Sequence, residues 1–101
     1  MQSYVVVEMF LGGKIPEVRG IYQNKIDAEK IKNDCKFAYI SEQNIIQTQS
    51  ERELREVYVV MELMTLNVPN VVGVFINKEL ANEMAIDCKH NTQVIEQQLN
   101  W

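Results

Sequence analysis

The chain has 101 residues, 47% of them apolar and 24% charged, with a formal net charge of −4. That is enough for one domain with a core of its own, burying roughly 65% of its unfolded surface without help from metal or disulfide. No clustered positive stripe is present to displace counterions from a phosphate backbone, and no apolar run reaches the roughly 18 residues of a membrane span, so neither nucleic acid nor a membrane is expected as a partner.

Met1-Gln2-Ser3 leads straight into a strand, without a basic leader. The expectation is a cytoplasmic chain whose two cysteines stay as thiols. Residues 3–10 alternate: Val5, Val7 and Met9 point one way, while Tyr4, Val6, Glu8 and Phe10 point the other. Leu11-Gly12-Gly13-Lys14 reads as a turn, and Pro16 opens a second strand through Val18-Arg19-Gly20-Ile21-Tyr22. Gly12-Gly13-Lys14 is no phosphate loop, because a strand rather than a helix follows it. Asn24 is placed as a helix N-cap, with Asp27 three residues on. The helix reaches about Lys36 with a narrow stripe of Ala28, Ile31 and Cys35, and a third strand covers about Phe37 to Thr48.

The chain then repeats itself. Tyr4-Val5-Val6-Val7-Glu8 returns 54 positions later as Tyr58-Val59-Val60-Met61-Glu62. Pro16, Val18, Gly20, Asn24, Lys25, Ala28, Asp34, Cys35 and Lys36 return 53 positions later as Pro69, Val71, Gly73, Asn77, Lys78, Ala81, Asp87, Cys88 and Lys89. A repeat of this extent predicts a tandem duplication. The expected fold is α+β: two ββαβ units, 1–49 and 54–101, related by a pseudo-twofold axis. Residues 50–53 connect them, and two helices form the outer layers of antiparallel sheet or sheets. A three-stranded sheet with one helix leaves a face uncovered. That face is expected to carry Tyr4, Val6 and Glu8 in one unit and Tyr58, Val60 and Glu62 in the other. Such a half-apolar face predicts a protein partner or a homodimer.

The motifs Tyr4-Val5-Val6, Gly20-Ile21-Tyr22 and Asn24-Lys25-Ile26-Asp27-Ala28 resemble a family of small bacterial and phage domains, and their counterparts 53 or 54 positions on do so again. The resemblance implies no activity, cofactor or site residue. Together with the Asn/Gln/Ile/Lys-rich composition, it suggests a phage or mobile-element protein, such as an inhibitor of a host defence protein.

Other constellations point weakly to chemistry. Cys35 and Cys88, at matching helix ends, read as small apolar side chains rather than a bridge. His90 two residues from Cys88 falls short of a zinc set, so no metal or other cofactor is expected. Glu8 and Glu62 are the best acid/base pair, yet no nucleophile, base and acid stand together, so no enzyme is predicted. The acid excess is one-sided: residues 1–50 balance six Lys/Arg against six Asp/Glu, whereas residues 51–101 set four against eight. Glu51, Glu53 and Glu56 could form an acidic docking patch for a basic partner. The main expectation is a non-catalytic protein-binding module on Tyr4, Val6, Glu8, Tyr58, Val60 and Glu62. The alternative is a ligand or regulatory domain with a pocket between the units, lined by Tyr22 and Phe75.

Overall fold

The computed structural model describes residues 2–12, 14–46, 56–65 and 68–100. The elements are β1 (Gln2–Glu8), β2 (Glu17–Tyr22), α1 (Lys25–Asp34), β3 (Ala38–Ile46), β4 (Glu56–Leu63), β5 (Pro69–Phe75), α2 (Lys78–Asp87) and β6 (Asn91–Asn100). Both helices start where the sequence places them. Asn24 Oδ1 accepts from Ile26 N at 2.9 Å, and Asn77 Oδ1 accepts from Glu79 N at 2.8 Å. These caps satisfy donors that the first turn leaves orphaned. Gly12 turns the first hairpin at φ 81°.

The expected α+β arrangement of two packed ββαβ units is overturned by the way the strands join. All six close into one mixed barrel in the order β1-β2-β6-β4-β5-β3. β1 is central to one antiparallel trio with β2 and β3, and β4 to another with β5 and β6. Two short parallel seams then close the ring: Ile21 and Tyr22 against Leu99 and Asn100, and Ile45 and Ile46 against Val74 and Phe75. Each seam therefore joins a strand of the first half to a strand of the second, and neither half has a complete layer of its own.

Where backbone pairing stops at the seams, polar side chains take over. Gln43 Nε2 donates to Val71 O at 3.3 Å, Tyr39 Oη to Pro69 O at 3.3 Å, and Gln97 Nε2 to Val18 O at 3.5 Å. These bonds span diverging strands whose carbonyls would otherwise face an apolar interior, where an unmet acceptor is costly.

Burial follows closure. The barrel interior holds Val5, Val7, Ile21, Ile45, Val57, Val59, Met61, Leu63, Val71, Val74 and Leu99 as one cluster. A second cluster lies outside the barrel wall, where Val60, Phe75 and Ala81 pack with Tyr58, Leu80 and Met84 beneath α2. On the other trio, α1 packs against β1, β2 and β3. The face expected to lie open is thus the face the helices cover, and the opposite face lines the barrel. β1 and β4 are buried on both sides, with Val5, Val6, Val7, Val59, Val60 and Met61 all at 0% exposure.

Candidate functional site

The six residues proposed for a docking face are dispersed by this architecture. Val6 and Val60 are fully buried, Tyr4 and Tyr58 are half-buried, and Glu8 is 7% exposed. A surface site on this set would have no valine to offer. Glu56 is exposed at the start of β4, while Glu51 and Glu53 lie outside the described residues. Tyr22 and Phe75 do not line a shared pocket, because each lies over a strand glycine of its own trio.

Glu8 is paired with an arginine and Glu62 with a histidine, rather than with one another. Both β2 and β5 carry a bulge: β1 register passes from Gly20 to Val18, leaving Arg19 extra, and β4 register passes from Gly73 to Val71, leaving Val72 extra. A bulge re-aims a side chain. It brings the Arg19 guanidinium onto the Glu8 carboxylate, with Glu17 Oε2 at 3.5 Å from the same group. Val72, at the same point of the other trio, packs into the apolar cluster under α2. Glu62 is met instead by His90, whose Nδ1 lies 3.2 Å from Glu62 Oε2. The hydrogen bond from His90, with a smaller contribution from Asn70, holds the Glu62 carboxyl below its ordinary range.

That shift has a sign. Because the folded state lowers the Glu62 pKa, the unfolded chain binds the proton more tightly there, and stability rises with pH across the carboxylate range. The contribution is present above the unfolded value of about 4.3 and is lost as pH falls through the folded value. In Glu62→Gln, chemical denaturation measured over the acid range should show a shallower fall in stability than the parent. An unchanged slope would show that Glu62 does not carry this linkage.

Cys35 and Cys88 cap the C-terminal ends of their helices as free thiols. Each Sγ donates to the carbonyl four residues back, Ile31 O and Met84 O, at 3.3 Å. Burial pushes the Cys88 thiol pKa up, which disfavours the reactive thiolate. Among the described residues, no group of three or more His, Cys, Asp or Glu could hold a metal ion. No helix among them is long and apolar enough to cross a membrane.

One concave feature among the described residues is a cleft at one end of the barrel. It has a volume of about 340 Å³ and is lined by Glu8, Met9, Phe10, Leu11, Lys14, Lys36 and Phe37. The β1–β2 connection forms one wall and the α1–β3 connection the other, held together by Met9 N donating to Phe37 O at 2.7 Å. Its walls are apolar and open, with Leu11 at 75% and Phe37 at 46% exposure. Glu8 contributes a carboxylate already neutralised by Arg19. Lys14 and Lys36 are exposed and make no ion pair among the described residues.

No protein-family model matches this chain, and comparison with curated proteins and with solved structures returns no match either. The cleft must therefore be read from its own chemistry. Of its lining, the sequence reading singled out only Glu8 as a site residue. The available signal was divergence between the repeats. Phe37 stands where the second half has His90, and Arg19 where it has Val72. In the second half the position of Phe37 is thus filled by a side chain turned toward Glu62, while in the first half a phenyl ring faces solvent.

Proposed function

We propose that this protein is a non-catalytic protein-binding module that takes its partner at the cleft between the β1–β2 and α1–β3 connections. The observation that carries this reading is an open apolar cleft in which the two charged side chains without an ion pair among the described residues are both lysines. At about 340 Å³ it lies at the lower end of ligand-site volumes, suited to one or two side chains of a partner. The complementary partner presents an apolar side chain flanked by carboxylates, because aliphatic and aromatic walls reward burial and the lysines select charge. Glu8 offers no free base for chemistry, since Arg19 occupies it. If the resemblance to phage domains holds, inhibition of a host protein is the form such binding would take.

The test compares capture by the parent chain and by Phe37→Ser. Phe37 is half out of the protein, so its replacement leaves the fold intact. Partners held by the parent should bind the variant at least about tenfold more weakly. A variant that retains every partner at parent affinity would remove the cleft from consideration.

A further inference from the structure

The chain carries, on its own surface, a side chain that meets the chemistry the cleft asks for. α2 turns Leu80, Ala81, Met84 and Ala85 toward the barrel wall. Its outward face bears Glu79, Glu83 and Asp87, all exposed and without an ion pair among the described residues. Beside them stands Ile86, which at 81% is the most exposed of the large apolar side chains described. Glu83 lies one turn before it and Asp87 immediately after it. An exposed isoleucine between carboxylates on a rigid helix is costly to leave in water and well placed to bury elsewhere.

We infer that the cleft receives the outer face of α2 from a second copy of the chain, with Ile86 entering between Phe10, Leu11 and Phe37 while Glu83 and Asp87 meet Lys14 and Lys36. This rests on the reading of the cleft as a protein-docking site and names its occupant. The charge asymmetry of the chain supports it, since the acid excess lies wholly in the half that contains α2 and the lysine pair lies in the neutral half. The contact joins two different patches, so it is head-to-tail and propagates beyond a dimer unless the rotation closes a ring. Charged rims make it weak at high salt and responsive to charge reversal.

Two charge-reversed full-length chains test it by sedimentation velocity over a concentration series. One carries Lys14→Glu and Lys36→Glu, the other Glu83→Lys and Asp87→Lys. The parent should associate as its concentration rises, and more weakly with added salt. Each variant alone faces like charge with like charge, and should associate at least about tenfold more weakly than the parent. Mixed together, the acidic cleft of the first meets the basic helix of the second, and association should return. A parent that stays monomeric throughout, variants that associate as the parent does, or a mixture that fails to recover would each overturn the inference. Ile86→Ser separates it from the broader reading, because that change leaves the cleft intact. Self-association should be lost while any capture that depends on Phe37 persists. Capture without self-association keeps the docking module and removes the second copy as its occupant.

Discussion

Val60→Asp is expected to abolish the folded state. Val60 is fully buried between the barrel wall and α2, packed against Phe75 and Ala81. A carboxylate there has no cation within the cluster and must either ionise in apolar surroundings or take up a proton at a large cost. Substitutions of that kind exceed about 4–5 kcal/mol, out of a total stability of about 5–15 kcal/mol. Val6→Asp places the same charge in the other trio and should behave alike, since Val6 is also at 0% exposure. Ile86→Asp is the control: at 81% exposure its effect should stay within about 0.5 kcal/mol. Circular dichroism and thermal melting read all three. A Val60→Asp protein that melts with the parent would restore the open sheet face and remove the helix-covered wall.

That contrast also shows which part of the fold was legible in the sequence. The elements were, because their signals are local. Asn24 and Asn77 stand directly before helical stripes, and both cap in the structure. Alternation and turn residues place the strands to within a residue or two. What alternation could not supply was which face meets which layer. Tyr4-Val5-Val6-Val7 and Tyr58-Val59-Val60-Met61 contain a run of three apolar residues, and a run is the mark of a strand buried on both sides. Reading those strands as half-exposed left one face without a cover. Closure of the barrel supplies it, and closure depends on four residue pairs separated widely in sequence. No local pattern announces a parallel seam two residues long. Gln43 and Gln97, which bridge the seams, look in sequence like ordinary polar strand residues.

The cleft was hidden for a different reason. Phe10, Leu11, Lys14 and Phe37 come from two connections far apart in sequence, and the β1–β3 ladder, continued by the bond from Met9 to Phe37, brings them together. A reading that searches for matches between the halves favours Glu8 and Glu62, which recur. The residues that give the two trios different chemistry are those that fail to recur: Arg19 against Val72, and Phe37 against His90. Repetition marks what the shared framework requires. Departure from it marks where one half has been free to acquire a surface of its own.

Gly73→Ala is expected to cost about 2–3 kcal/mol, at the upper end of what overpacking a core exacts, although alanine is the better residue in an ordinary strand. A Cβ at this position would stand 2.9 Å from Phe75 Cε2 and 3.2 Å from Cζ. The ring cannot retreat, because Phe75 is 3% exposed and is held by Val60 and Ala81. Gly20 faces the tighter contact, with Tyr22 Cε2 at 2.7 Å and Oη at 2.8 Å. Yet Tyr22 is half-buried, so its ring can swing toward solvent, and Gly20→Ala should cost nearer 1 kcal/mol. Distance alone orders the two substitutions one way and freedom of the neighbour orders them the other. Chemical denaturation of both variants decides between these orders. A cycle with Phe75→Leu tests the cause, since trimming the ring should relieve Gly73→Ala and leave a coupling of about 1 kcal/mol or more. Strict additivity would mean that the glycine is required by the bulge at Val72 rather than by the ring above it.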